Sequence, residues 1–191
     1  QQRMWTLNRV DPDSGVYNIP VAVRLTGELD TEALQNAVFD LFARHEVLRT
    51  VYPDTEDGPV QVVLPVAQVV PALTPIDVTP GELVDRLTEI LGAGFDVTGS
   101  LPPVRMAVFR ISASEHVLAV VAHHIASDGY SMRPLVRDVM LGYTARAQGQ
   151  APGWEPLEVQ YADYTLWQQS VLGSEDDPDS ELSRQLDYWA S

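Results

Sequence analysis

The segment "EHVLAVVAHH", residues 115–124, constrains the fold more than any other stretch. A strand points successive side chains to opposite faces. Here both parities are apolar: Val117, Ala119 and Val121 on one side, Leu118, Val120 and Ala122 on the other. Such a strand must be covered on both faces, so it is expected at the centre of a sheet. Residues 103–112, "PVRMAVFRIS", supply a neighbour through the short connection "ASE". Residues 19–27, "IPVAVRLTG", alternate Val21, Val23 and Leu25 and read as a further strand.

Helical periodicity fills the intervals. Residues 29–46 carry Leu34, Val38, Leu41 and Phe42 as a buried stripe, with Thr31 or Asp30 as cap. Residues 81–96 form a second amphipathic helix ending near Gly92 or Gly94. A third spans residues 131–149, with Pro134 tolerated in its first turn. Residues 47–53 and 60–66 read as two strands around the turn "DTEDGP". Short helices are expected over 159–172 and from 181 to the last residue, with linkers at 149–160 and 173–180. Helices mixed with strands place the chain among α/β layers.

Composition narrows the function classes. With 191 residues and 45% hydrophobic content the chain can bury a real core. It holds no cysteine, which removes disulfides and thiolate metal sites. All 12 cations are arginines, so no lysine is present to form a Schiff base or a P-loop. A net charge of −15 opposes nucleic-acid binding. The longest uncharged run, near residues 60–76, is broken by prolines and glutamines and is no membrane span, and a cytoplasmic setting is expected. The beginning "QQRMWTLN" and the uncapped final helix read as a piece of a longer polypeptide.

The buried strand runs straight into His123 and His124, with Asp128 and Gly129 just beyond. Neighbouring histidines on a strand face apart, and no "HExxH" exists, so a metal site is disfavoured. The ordinary alternative is a pair of rings that end a strand and satisfy nearby backbone. Against it, a base, a carboxylate, a glycine free to take special backbone geometry and a helix N-terminus capped by Ser131 would meet at one corner. That convergence favours a catalytic site.

This segment resembles the "HHxxxDG" motif of condensation domains in nonribosomal peptide synthetases, a branch of the chloramphenicol-acetyltransferase-like fold. "QQRMWTL" resembles the tail of the family's first motif, "RHEVLRTVY" (44–52) the second and "YADYTLW" (161–167) the fourth. Ala122 and Tyr130 depart from the commonest residues. The family's later motifs, carried by a second lobe, are absent. The resemblance therefore implies that residues 1–191 are the N-terminal lobe, a sheet-and-helix sandwich with a mixed sheet.

What it implies chemically is amide formation between two thioesters held on phosphopantetheine arms of donor and acceptor peptidyl carrier proteins. Such chemistry belongs to secondary metabolism, as in antibiotic or siderophore biosynthesis. No directly bound cofactor or metal is implied. His124 is the residue facing the reaction and His123 faces packing. The Gly129 amide is a candidate oxyanion donor, and Asp128 becomes structural, paired to an arginine. Arg49 is the preferred partner and Arg105 the second candidate. The lobe alone is expected to fold but not to catalyse, and to allow weak self-association. An epimerisation domain and a catalytically silent carrier-recruiting domain share much of this pattern. The aromatics Tyr161, Tyr164 and Trp167 read as a packing stripe.

Overall fold

The computed structural model describes residues 1–56 and 58–190. Two compact units divide the chain, residues 1–155 and 156–191. In the first unit, helix α1 (Gln2–Val10) precedes strand β1 (Asn18–Thr26) and helix α2 (Thr31–Arg44). A 3-10 turn (Glu46–Arg49) leads into the short strands β2 (Thr50–Val51), β3 (Asp54–Thr55), β4 (Gly58–Pro59) and β5 (Val62–Val63). Helix α3 (Val66–Val69), strand β6 (Ile76–Asp77) and helix α4 (Leu83–Gly92) follow. The long hairpin β7 (Val104–Ser112) and β8 (Glu115–His123) then leads to helix α5 (Met132–Ala147).

The main sheet has the order β1-β8-β7-β6. Strand β8 is interior, antiparallel to both neighbours, while β6 pairs parallel with β7. The expected mixed sheet with helices packed on it is present. On one face Leu118, Met106 and Val108 join Leu34, Val38, Leu41 and Phe42 of α2 and Val139 of α5. On the other, Val117, Ala119, Ala107 and Phe109 meet Leu83 of α4. The two-sided apolar pattern of β8 thus has the cover it requires.

Asp30, not Thr31, caps α2: its carboxylate accepts from Ala33 N–H at 2.9 Å. The start of the segment read as strand 47–53 winds instead into the 3-10 turn, leaving only Thr50 and Val51 to pair with β5. Arg49 holds that turn from within, donating to the Phe42 and Leu64 carbonyls at 3.2 and 2.9 Å and to Glu46 at 3.1 Å. Periodicity cannot register such side-chain-to-backbone bonds. The turn "DTEDGP" closes between β3 and β4, and Asp57 within it lies outside the described residues.

Helices α2 and α5 are pinned together by a buried carboxylate. Asp138, 2% exposed, accepts from His45 Nε2 at 2.8 Å, Arg44 Nε at 3.0 Å and Arg137 at 3.1 Å. Burial alone would raise its pKa, but these bonds outweigh it and the carboxyl titrates below its ordinary range. His45 titrates below the ordinary histidine value, because burial exceeds the opposing pull of Asp138.

The second unit contains helices α6 (Tyr161–Leu172) and α7 (Glu181–Ala190). Tyr161, Tyr164 and Trp167 do form a stripe, with ring centroids 5.7 and 5.8 Å apart. All three rings are nevertheless exposed, so they stack on one another rather than fill a core. Residues 151–160 and 173–180 carry no helix or strand.

Candidate active site

Strand β8 ends at His123, and the chain turns away at His124. The two rings part as strand parity requires. His123 is fully buried, edge-on to Tyr17 and Phe95 with centroids 5.9 and 6.3 Å away. Burial first, and the charge of His124 second, lower its pKa to about 4. His123 is therefore neutral and belongs to the packing. His124 is exposed, and no side-chain hydrogen bond holds its ring among the described residues. Its amide continues the ladder, donating to the Tyr17 carbonyl at 2.8 Å.

The turn beyond is bolted from below. Gln1 Nε2 and the Tyr52 hydroxyl both donate to the Ile125 carbonyl, at 2.9 and 3.3 Å. Trp5 Nε1 donates to the Tyr52 carbonyl at 2.9 Å. Asn8 bridges Phe95 O and Val97 N–H at 2.8 and 3.1 Å. Trp5, Tyr52, Phe95, Val97, Val121, Ile125 and Ala126 close an apolar cluster under the corner. The stretch "QQRMWTLN" thus acts as the anchor of the histidine turn, a role its periodicity did not disclose. Tyr17 reaches its place through a tight crossing. A side chain on Gly15 would strike the Gly92 carbonyl, and one on Gly94 the backbone of Pro12 and Asp13.

Among the described residues Asp128 pairs with no arginine. Arg49 is committed to the turn described above. Arg105 donates to the Ala93 and Gly94 carbonyls and lies 3.9 Å from the centroid of the Phe95 ring. Asp128 instead accepts from the Ser131 hydroxyl and amide at 2.6 and 2.8 Å, while its own amide donates to Ser131 Oγ at 3.3 Å. This reciprocal arrangement has the bond pattern of a capping box, but it closes the turn that precedes α5. Ser131 does occupy the N-cap position of α5, but its side chain makes no cap bond to the helix and is spent on Asp128 in the turn before it. Those bonds, the hydroxyl's first, hold the Asp128 carboxyl below its ordinary range. No hydrogen bond joins it to the His124 ring, so no triad forms among the described residues.

An exposed turn carboxylate that accepts one amide and one hydroxyl sets the size of the expected loss. Asn can accept the same bonds, so Asp128→Asn is expected to shift stability by less than about 0.5 kcal/mol, and Asp128→Ala to cost about 1 kcal/mol. A loss of about 3–5 kcal/mol for Asp128→Asn, read from denaturant melts, would restore a buried ion pair.

Gly129 lies exposed five residues after His124, with φ outside the left-handed region. A Cβ there would meet nothing within 4 Å. The expectation that this glycine serves a special backbone geometry is therefore corrected: the bonds between Asp128 and Ser131 close the turn in ordinary conformations. What the glycine leaves is an unobstructed backbone. The Asp128 carboxylate accepts from the Ser131 amide just before α5, while the Gly129 amide has no acceptor among the described residues.

Among the described residues no group of three His, Cys, Asp or Glu could hold a metal, and no helix is long and apolar enough to cross a membrane. A cavity of about 320 Å³ lies at the far end of β1, lined by Leu25, Gly27, Leu34, Leu118 and Tyr143, away from the histidines.

The family model described as Condensation domain matches residues 1–191. A dimodular nonribosomal peptide synthase of Bacillus subtilis is 46% identical over 189 residues, covering 99% of this chain and 8% of the relative. An isonitrile lipopeptide synthase of Mycobacterium tuberculosis is 45% identical, with 99% and 8% covered. Among solved structures, the X-domain from teicoplanin biosynthesis superposes with a TM-score of 0.89 at 39% identity, over 98% of this chain and 40% of that one. The starter condensation domain of rhizomide synthetase shares the fold, with a TM-score of 0.78 at 20% identity over 90% and 42% of the two chains. The chain thus spans less than half the length of these solved structures and about a twelfth of these synthetases.

Proposed function

The chain belongs to the condensation-domain family of nonribosomal peptide synthetases, and from that premise we propose that it is the histidine-bearing lobe of a peptide-bond-forming domain. The observation that carries this reading is the opposed placement of the two rings: His123 buried and neutral, His124 exposed, in a turn that also leaves the Gly129 backbone exposed. The bond formed is C–N, between the amine of a carrier-bound acceptor and the carbonyl carbon of a carrier-bound donor thioester. The bond broken is C–S, and the donor's phosphopantetheine thiol leaves.

His124 orients the amine and takes its proton as the C–N bond forms. Deprotonating the amine beforehand is a small part of the barrier. Its pKa of about 7.7–8.0 leaves roughly a tenth neutral at pH 7, worth about 1–1.5 kcal/mol. Fixing two tethered reactants can supply about 7–11 kcal/mol. The Gly129 amide is the donor placed to stabilise the developing oxyanion. Asp128 shapes the turn that carries both groups. Donor and acceptor carrier domains and the second lobe are the partners, and the phosphopantetheine arms come with the carriers. The same reading sets the work in the cytoplasm.

Single-turnover transfer between loaded carrier proteins, assayed in the intact parent domain, tests this. Formation of the amide-linked product on the acceptor carrier is expected. Epimerised donor with no amide would replace the reading with the epimerisation branch, and no turnover at all would favour a silent recruiting domain.

A further inference from the structure

Beneath the histidine corner three buried polar atoms have no hydrogen-bond partner among the described residues: Asn18 Oδ1, Arg105 Nε and His123 Nε2. Their side chains stand on one face of the sheet. Asn18 lies opposite His123 across β1 and β8, and Arg105 opposite Val121 across β7 and β8. Directly opposed residues share a face, and Val121 and His123 share theirs because they are two apart. All three also converge on residues 91–95. Asn18 Nδ2 donates to the Leu91 and Ala93 carbonyls at 2.9 and 2.8 Å. Arg105 donates to the carbonyls of Ala93 and Gly94, and Phe95 packs against both Arg105 and His123.

The unmet valences are complementary. The Ile125 amide donates to His123 Nδ1 at 3.1 Å, so the neutral ring carries its proton on Nε2 and offers a donor there. Arg105 Nε–H is a second donor. The Asn18 amide nitrogen is committed to two carbonyls, which fixes its flip and leaves Oδ1 as an acceptor. Two donors and one acceptor are what a water molecule matches, accepting twice and donating once. Three unmet buried groups on one sheet face, all anchored to residues 91–95, are not what native interiors tolerate.

We infer that Asn18, Arg105 and His123 enclose a site for one buried water, which fixes His123 as its Nε2–H tautomer and makes these three positioning residues for His124. The ring of His123 cannot then turn without breaking the water's bonds and the Ile125 contact together. His124, the next residue, inherits that rigidity through its own backbone. This last consequence rests on His124 being the reacting base; the water site does not.

A crystal structure of the intact condensation domain that resolves ordered solvent is expected to show one water within about 3.2 Å of all three atoms. Nitrogen-15 spectra of the histidine-labelled domain should show His123 protonated at Nε2 and bare at Nδ1. A direct bond from His123 Nε2 to Asn18 Oδ1 with no water between, or the opposite tautomer, overturns the site. The positioning role is read separately with Arg105→Met, which keeps a chain over Phe95 and removes Nε. It should lower the single-turnover rate about tenfold and disturb the His123 signals, with KM for the acceptor carrier unchanged. A parent-like rate with the His123 signals disturbed overturns positioning while leaving the water. The wild-type measurements decide the site even where that variant does not fold.

Discussion

His124→Ala in the intact parent is expected to lower single-turnover amide formation by about 10²–10⁴-fold, with the unfolding midpoint unchanged. The two halves of that expectation come from one observation. The His124 ring is exposed and holds no side-chain hydrogen bond among the described residues, so its removal opens no cavity and orphans no buried group. Truncating His123 reverses the pattern, because that ring is fully buried and accepts the Ile125 amide. Its loss falls on stability, with a cavity cost of the order seen for large-to-small core changes, about 3–5 kcal/mol. Loaded donor and acceptor carriers, quenched flow and a denaturant melt on each variant separate the two. A parent-like rate for His124→Ala would remove it from the chemistry and leave positioning by the two lobes as the whole of catalysis.

Much of this corner was legible in the sequence, and the reason is parity. A strand apolar on both sides has to be interior, and adjacent residues at its end have to face apart, so β8 and the opposed histidines follow from spacing alone. The stripe Leu34, Val38, Leu41 and Phe42 followed equally from the helical period. What spacing could not reach were local hydrogen bonds. Arg49 looks like a strand residue on an apolar face, yet three bonds wind its segment into a 3-10 turn. Asp128 looks like a carboxylate seeking a cation, yet Ser131 three residues on satisfies it within the turn before α5. A short polar residue at i and a hydroxyl at i+3 before a helix was the signal available for that. The anchoring by Gln1, Trp5 and Asn8 had no local signal, since their partners lie 47 to 124 residues away. Strand β6 was equally hidden, being two residues long between prolines.

The second large effect concerns the 191 residues on their own. They are expected to fold and yet to form amide at a rate far below the parent domain. Folding rests on what the chain contains: a sheet covered on both faces, a bolted histidine turn and helices α2 and α5 locked through Asp138. On the proposed function, catalysis rests on what two lobes hold between them. His124 is exposed on the surface of this chain. The roughly 7–11 kcal/mol available from fixing two reactants then has nothing to act through, whereas the base itself contributes about 3–5 kcal/mol. Strand β1 is meanwhile an edge of the sheet, and an apolar cleft beside it is lined by Val21, Val23, Leu25, Val136 and Met140. An edge strand next to exposed apolar side chains invites another chain, while a net charge of −15 opposes indiscriminate association. Weak dimerisation, strengthened by salt as that repulsion is screened, is the expected balance in sedimentation. Mixing the chain with a separately produced second lobe should restore turnover if the two can meet. Amide formation by the 191 residues alone at a parent-like rate would show instead that one lobe positions both substrates.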